Sequence, residues 1–351
     1  MLAPVTGFLA LFCTAVALPP LLARLTGGHA PRPGPQLAAL APVATLPALA
    51  AVALAAVQGG GEAGGAWWLS VLLAIPAAIL LVWQLPPFLL NATARPANLG
   101  RSPVSPTDTV TVRVLTLNSR GGSADPDALL AALRQHAVDV LAIQELTWDL
   151  VHRLDEGGLG GVLPHTHLDP RPDSPGVGLW ARWPLTPLPP VPGLFAAAPR
   201  ARAEPAAGRP VVLISVHPLT PMRDRGYTWQ RDLARLLPLA ESTEAQVVMG
   251  DFNASRDHQP FRELLAAGFV DCADAARHRT WPGFTWPVSW HLNSDPDSQR
   301  FPDRRAPAIM RLDHVLVSGA DAVVQEARPV RVSGTDHHAV LAVIQFSPPA
   351  G

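Results

Sequence analysis

The first third of the chain consists of long apolar runs. Three of them, Val5–Leu25, Leu37–Val57 and Trp67–Leu90, contain 21 residues or more and carry no charge in the middle. Because 21 helical residues span roughly 32 Å, about the thickness of a bilayer core, this pattern predicts three transmembrane helices over about 5–25, 37–57 and 67–90. A signal peptide with a Pro- and Ala-rich linker is the alternative, but no basic segment precedes the first run.

From Thr109 onward the pattern changes to short strands and helices. Val110–Leu117 alternates with a period of two, and Asp139–Ile143 and Ala339–Phe346 have the pattern of buried strands. Stretches with helical periodicity, such as Asp127–His136, lie between the strands. The pattern predicts an α/β (α+β) four-layer sandwich with two central, mostly antiparallel sheets flanked by helices. We divide the chain into a membrane anchor (1–90), a Pro- and Ser-rich linker (91–107) and a soluble domain (108–351).

The charge distribution supports this division. The chain has 27 basic and 28 acidic residues and a net charge of −1. Residues 1–107 contain only four arginines and one acid, which leaves 23 basic and 27 acidic residues for 108–351. High-affinity duplex binding depends on neutralising many phosphates, so the net charge of the soluble part disfavours it.

Polar side chains lie at the ends of the most apolar strands. In Val247–Asn253, three apolar residues and Gly250 precede Asp251 and Asn253. Taken alone, such a segment is a strand followed by an Asx-turn. The same juxtaposition recurs at six strand ends, with Asn118, Glu145, His217, Asp251, Asn253, Asp313, Asp336 and His337. Carboxylate and amide oxygens favour Mg²⁺ or Mn²⁺, and histidines titrate near neutral pH, so these positions predict a metal-assisted hydrolytic site.

These residues resemble a known family. The motifs Asn118, Gln144-Glu145, His217, Gly250-Asp251-Phe252-Asn253, Arg311-Leu312-Asp313-His314 and Thr335-Asp336-His337-His338 occur in the order found in the endonuclease/exonuclease/phosphatase (DNase I-like) superfamily. The resemblance covers about 109–347. Three apolar spans before such a domain also resemble a membrane-anchored bacterial branch. The resemblance implies a Mg²⁺-dependent phosphoester hydrolase in which water attacks phosphorus directly.

The resemblance, together with the chemistry of the side chains, implies a role for each residue. Glu145 is expected to be the principal metal ligand, with Asn118 beside it, and Asp336 either binds metal or braces its loop. Asp251 orients or deprotonates the attacking water, and Asn253 holds the phosphate. Asp313 pairs with His337, and His217 donates to the phosphate or to the leaving oxygen. His314 and His338 are expected to serve in packing.

Three alternatives compete with this interpretation. Dinuclear metallophosphoesterases need Asp-x-His near the domain start and Gly-Asn-His-Asp/Glu downstream, and neither occurs. A catalytically weak, membrane-tethered binding module of the same fold would be expected to lack a ligand, and none is missing. A purely structural membrane protein would not need two carboxamides and two histidines at strand ends.

The substrate stays open between nucleic acid and a phospholipid or lipid pyrophosphate. The segment 277–311 is the expected substrate reader, because it interleaves arginines with aromatic residues. No protein partner is predicted. For location in the cell membrane, arginines near the spans favour a cytoplasmic domain, whereas the resemblance to the anchored branch favours an extracytoplasmic one. We predict the extracytoplasmic side, because an anchor is hard to explain for a nuclease with freely diffusing substrates.

Overall fold

A computed structural model describes residues 2–59, 67–84, 109–172, 174–206, 209–280, 282–290, 304–319 and 322–346. Its helices are α1 (Leu2–Leu25), α2 (Gly34–Ala39), α3 (Ala41–Gly59), α4 (Trp67–Gln84), α5 (Pro126–Gln135), α6 (Trp148–Glu156), α7 (Tyr227–Leu236), α8 (Gln259–Ala266) and α9 (Cys272–Ala275). The predicted linker 91–107 lies outside the described residues.

Fifteen strands are found in the described part of the chain. They are β1 (Val110–Asn118), β2 (Val140–Gln144), β3 (His165–Asp169), β4 (Val177–Ala181), β5 (Leu185–Leu188), β6 (Arg200–Ala206), β7 (Arg209–Val216), β8 (Gln246–Asp251), β9 (Val270–Asp271), β10 (His278–Arg279), β11 (Ser289–Trp290), β12 (Arg304–Arg305), β13 (Asp313–Ser318), β14 (Ala322–Val330) and β15 (Ala339–Phe346). Turns, loops and, within the described ranges, three short 3₁₀ segments connect them.

Most strands belong to two mixed sheets. The first has the order β10–β14–β15–β1–β2–β4–β3 and the second β5–β6–β7–β8–β13–β9. The pairs β1–β2, β7–β8 and β10–β14 are parallel, whereas the other pairs in these sheets are antiparallel. The prediction of two mostly antiparallel sheets is therefore confirmed.

The apolar core explains why the two sheets pack face to face. One cluster joins inward-facing residues of both sheets, such as Val114 and Val140 from the first and Val247 and Val315 from the second. Alternation along each strand sends the other side chains outward. On the outer face of the first sheet, α5 and α6 cover a second cluster, and on the outer face of the second sheet, α7 and α8 cover a third. Helices, two sheets and helices thus form the four predicted layers.

The prediction of three membrane spans is wrong. In the described residues, one helix is long and apolar enough to cross a bilayer, Val5–Leu25 with a mean hydropathy of 2.0. The second predicted span is broken, because α2 ends at Ala39 and α3 begins at Ala41. Within α3 and α4 the apolar stretches are shorter, Ala41–Val57 and Val71–Gln84, and 17 residues span only about 26 Å. Residues 85–90 of the third predicted span lie outside the described residues.

Candidate active site

The predicted site residues lie where the ends of the strands from both sheets meet. β1 ends at Asn118, β7 is followed by His217, and β8 ends at Asp251. β13 begins at Asp313, directly opposite Asp251 in the antiparallel register. The side-chain amide of Asn118 donates from Nδ2 to Asp251 Oδ2 over 3.0 Å, so the ends of two central strands, β1 of the first sheet and β8 of the second, are joined at this point.

Gly250 makes the close approach of β7 and β8 possible. Its φ of +154° lies outside the range that L residues favour. A β-carbon at this position would lie 2.0 Å from the carbonyl oxygen of Val216. Only glycine therefore fits between β7 and the following Asp251, which explains the Gly-Asp sequence at this strand end.

Asp251 lies at the centre of the site. The side chain is buried, with 2% of the residue exposed. Its Oδ1 accepts from the backbone N–H of Asn253 over 2.8 Å, while Oδ2 lies 3.7 Å from His217 Nε2 and 3.9 Å from His337 Nε2. Burial and the neighbouring Asp313 charge raise the pKa of Asp251, although the two histidines oppose the rise. A carboxylate with a raised pKa is a suitable proton acceptor.

Asp313 and His337 form a buried dyad, as the sequence predicted. Asp313 Oδ2 lies 2.9 Å from His337 Nδ1. Burial alone would lower the pKa of His337, but the charges of Asp313, Asp251 and Asp336 and the hydrogen bond to Asp313 raise it to about 10. The imidazole is therefore a cation at neutral pH, and its Nε2 faces Asp251.

The turn that follows β1 holds Glu145. Oε2 of Glu145 accepts from the backbone N–H of Gly121 over 2.7 Å, and Oε1 of Glu145 accepts from Asn118 Nδ2 over 3.2 Å. The hydroxyl of Ser119 donates to the backbone carbonyl of Glu145 over 2.9 Å. Glu145 has a φ of +55°, a conformation that costs an L residue free energy and is concentrated at functional sites. The structure thus places Asn118 and Glu145 side by side.

Asp336 lies on the rim of the same cleft. Its Oδ2 accepts from the indole N–H of Trp286 over 3.1 Å, and its Oδ1 lies 4.0 Å from Arg120 Nε. These contacts brace the loop before His337. The structure does not bring Asp336 into hydrogen-bond contact with Glu145.

His217 and Asn253 are oriented by backbone carbonyls. His217 Nδ1 lies 3.0 Å from the carbonyl oxygen of Ser174, and because a carbonyl only accepts, Nδ1 carries the proton. His217 Nε2 then faces Glu145 Oε1 at 3.9 Å as well as Asp251. Asn253 donates from Nδ2 to the carbonyl oxygen of Pro218 over 3.1 Å, which fixes the orientation of its amide at the cleft.

Three ligand-type side chains are close enough together to hold an ion. One oxygen each of Asp251 and Asp313 and one nitrogen of His337 all lie within 4.8 Å of one another. The sequence predicted a different ligand set, Asn118, Glu145 and Asp336. A cationic His337 bonded to Asp313 favours a hydrogen-bonded unit over a metal site at these three residues.

Other residues of the site were given no role from the sequence. Thr335 Oγ1 donates to the backbone carbonyl of Asn118 over 2.8 Å and accepts from the N–H of His337 over 3.2 Å, so it ties the end of β1 to the loop carrying His337. Its position directly before Asp336 is the sequence feature that could have indicated a role in the site. The site opens into a cleft of about 860 Å³, which is also lined by residues 35, 36, 39 and 40. Nothing in the sequence marked this N-terminal segment.

Several candidate residues lie elsewhere. His314 is buried between Asp271 Oδ2 at 2.8 Å and the carbonyl oxygen of Ala254 at 2.9 Å, which agrees with a packing role. In the expected substrate-reading segment, Arg311 is buried and forms ion pairs with Asp271 and Asp274. Burial opposes the charge of Arg311, but the two carboxylates raise its pKa. Arg311 therefore faces the interior, whereas residues 291–303 lie outside the described part of the chain.

Comparison with known proteins gives a family match. Residues 115–337 match the Endonuclease/Exonuclease/phosphatase family. Among solved structures, a protein of that family from Leptotrichia buccalis C-1013-b is 16% identical over 66% of this chain and 98% of its own, with a TM-score of 0.49. D. rerio TDP2, solved with a single-strand DNA product, is 14% identical over 67% of this chain and 98% of its own, with a TM-score of 0.49.

A third solved structure is the mannosyl-6-phosphatase of Bacteroides thetaiotaomicron VPI-5482. It is 15% identical over 66% of this chain and 99% of its own, with a TM-score of 0.47. No curated protein matches the chain. The family assignment rests on the matched sequence, which covers most of the sandwich and every predicted site residue.

Proposed function

The chain belongs to the Endonuclease/Exonuclease/phosphatase family, and from that premise we propose that it is a divalent-metal-dependent hydrolase of phosphoesters. Members of this family hydrolyse phosphoesters. One observation carries the proposal for this chain: the buried Asp251 carboxylate lies within 4 Å of both His217 and His337 at the base of an open cleft. A proton acceptor beside two imidazoles is suited to hydrolysis.

The donor set around Glu145 fits a divalent ion. Glu145 and Asp336 line the cleft with carboxylates, and Mg²⁺ and Mn²⁺ prefer oxygen ligands. Asn118 lies beside Glu145, with its Oδ1 on the backbone N–H of Arg120, and would add an amide oxygen once that contact is exchanged for the ion. These three residues would hold the ion, as the sequence predicts. When bound there, it would neutralise charge on the phosphoester and favour ionisation of water.

The protein's own groups divide the remaining work. Asp251 accepts the proton of the attacking water, since its pKa is raised and Asn253 N–H holds its other oxygen in place. The His337 imidazolium faces the same carboxylate and stabilises negative charge on the phosphoryl oxygens. Asn253 contacts the phosphate with its amide. His217 protonates the leaving oxygen when its ring carries a second proton, on Nε2, and then keeps the Nδ1 proton that is bonded to the Ser174 carbonyl. No covalent intermediate with the protein is required.

The placement of side chains on α1 favours attachment to a membrane. Phe8 and Leu11 are 69% and 63% exposed, whereas Ala10 and Ala17 are buried. Soluble proteins bury large apolar residues, while helices in lipid pack through small residues and turn large ones outward. We therefore place α1 in the bilayer as an anchor. The side of the membrane on which the sandwich lies stays a prediction, and a phosphatase fusion at Gly351, active only outside the cytoplasm, tests it.

Hydrolysis of bis-p-nitrophenyl phosphate by the full chain tests the proposed function. Turnover should require Mg²⁺ or Mn²⁺, stop with EDTA and fall roughly 10²–10⁴-fold in Asp251→Asn. Glu145→Gln should raise the Mg²⁺ concentration for half-maximal activity roughly tenfold or more, whereas Glu263→Gln, on the exposed side of α8, serves as the matched control and should change neither quantity. A parent chain whose turnover is no higher than that of the EDTA-treated protein and of Asp251→Asn would favour the catalytically weak binding module instead.

A further inference from the structure

The segment between α1 and α3 is fixed to the sandwich by buried polar contacts. Arg24, at the end of α1, forms an ion pair with Asp257. His258 Nδ1 accepts from the backbone N–H of Ser255 over 2.9 Å, so its Nε2 carries the proton and donates to the carbonyl oxygen of Pro35 over 2.8 Å. Both contacts lie at the loop between β8 and α8. They hold α2 in one position relative to the site.

In that position α2 forms one wall of the catalytic cleft. Pro35, Gln36, Ala39 and Leu40 line the same cavity as the catalytic Asp251. The amide nitrogen of Gln36 is bonded to the sandwich, because its Nε2 donates to the carbonyl oxygen of Pro221 over 2.9 Å. The surface that α2 contributes is therefore mainly aliphatic.

Aliphatic residues of the sandwich continue this wall. The cavity is also lined by Leu219, Pro221, Met222, Met310 and Leu312. The proposed catalytic groups Asp251, His217 and His337 lie together at the base of the cleft, and Asp336 lies on its rim. A ligand that fills such a cavity needs a phosphate at one end and an apolar group at the other, because an apolar wall contributes to binding only when it displaces water.

The wall is continuous with the apolar exterior of the N-terminal helices. Leu40 is followed at once by α3, where Leu46 and Val57 are 69% and 71% exposed while Ala44 and Ala48 are buried. This arrangement, with small residues inside and large apolar ones outside, is the one helices adopt in lipid. An apolar chain lying along α2 would therefore leave the cleft along an apolar surface, towards the bilayer in which we place α1.

We propose that α2 and Leu40 form an apolar subsite of the cleft and that the preferred substrate is an amphiphilic phosphoester drawn from the membrane. The proposal rests on the proposed phosphoester hydrolysis and adds its substrate class. Nucleic acid fits the wall less well, since unpaired bases bind by stacking on aromatic side chains along a basic groove. Here the wall that α2 and Leu40 contribute is aliphatic, and Arg311 of the expected substrate-reading segment is turned inward. The aromatic and basic residues that line the cleft belong to the sandwich and are Phe195, Trp286, Arg120 and Arg223.

A series of alkyl p-nitrophenyl phosphodiesters tests the subsite. The full chain in lipid nanodiscs is assayed with methyl, butyl and hexyl esters below their critical micelle concentrations. Burial of one methylene corresponds to at most about a fourfold gain, so kcat/KM should rise roughly tenfold or more from methyl to hexyl. Leu40→Gln should reduce this hexyl-to-methyl ratio to about threefold or less, and Leu40→Met should preserve it.

A matched control lies on α2. Leu37 is partly exposed and does not line the cavity, so Leu37→Gln should leave both the methyl rate and the ratio unchanged. If Leu40→Gln fails to fold, Ala39→Leu, which adds volume to the same wall, should lower the ratio.

Each contrary outcome has a distinct meaning. A flat chain-length series in the parent chain, with metal-dependent methyl turnover, would refute the substrate class and leave the phosphoesterase intact. A ratio unaffected by both Leu40→Gln and Ala39→Leu would refute the subsite. Faster cleavage of oligothymidylate than of the hexyl ester would replace the amphiphile with nucleic acid. Methyl turnover that withstands EDTA and Asp251→Asn would refute the proposed function itself, and the inference falls with it.

Discussion

Removing the Asp313–His337 pair should reveal a single catalytic unit. The variants are Asp313→Asn, His337→Ala and the double substitution. The two side chains are joined at 2.9 Å, and both are buried. Because His337 can stabilise charge on the phosphate only as a cation, and the Asp313 carboxylate is what holds it in that form, either substitution should remove the same contribution.

The structure sets the size of the effect. A carboxylate and an imidazolium in this contact have charge centres about 4 Å apart, which corresponds to about 4 kcal/mol at an effective dielectric constant of about 20. Since about 1.4 kcal/mol is a factor of ten in rate, each single variant should lose roughly 10³-fold in kcat. Independent contributions would multiply to roughly 10⁶-fold, whereas one unit predicts that the double variant loses about 10³-fold as well.

The assay is turnover of bis-p-nitrophenyl phosphate at saturating Mg²⁺. His338→Ala is the matched control, because His338 adjoins the dyad but does not line the cleft, and it should change kcat by less than about threefold. Unfolding temperatures of all variants exclude loss of folded protein. A double variant whose loss equals the product of the two single losses would refute the dyad.

Three further predictions concern the folded state. Gly250→Ala should destabilise the protein by roughly 2–4 kcal/mol, measured as a fall in Tm, because the new β-carbon meets a carbonyl at positive φ. Arg311→Met should cost about 3–5 kcal/mol, because it removes the buried cation that pairs with both Asp271 and Asp274, whereas Arg171→Met, at an exposed ion pair, should leave Tm unchanged. Burial lowers the pKa of His258 to about 4, below its ordinary value of about 6.5, so stability should be lost as pH falls through this window. The loss should reach about 2 kcal/mol between pH 7.5 and pH 5, and His258→Gln should flatten this dependence.

The sequence analysis located the central strands well, because their burial imposes a clear pattern. Ala339–Phe346 and the region of β1 agree with the structure closely. Strands with a solvent-facing side were missed. β6 contains Arg200, Arg202 and Glu204, and β14 contains Glu326 and Pro329. Charges and proline on an exposed face obscure the apolar alternation on the other face, so periodicity alone does not reveal such strands.

The candidate site was predictable for a related reason. A buried strand that ends in a carboxylate or an amide places a costly polar group next to the core, and such groups are retained where they have partners or a function. The structure brings the predicted residues together through contacts such as Asn118 to Asp251. The pairing of partners across 133 positions of sequence depends on sheet order, which no local pattern encodes.

The wrong prediction of three membrane spans and the failure to predict the cleft wall have the same cause. Hydropathy records that Leu37–Val57 is apolar, but not that the chain turns at Leu40 between two helices. Pro35, Ala39 and Leu40 have no reactive groups, so nothing distinguished them from lipid-facing residues. Their position follows from the contacts of Arg24 with Asp257 and of His258 with Pro35. Since those contacts hold the cleft against the end of α1, the helix that would anchor the protein would also, on the proposed subsite, restrict which molecules reach Asp251.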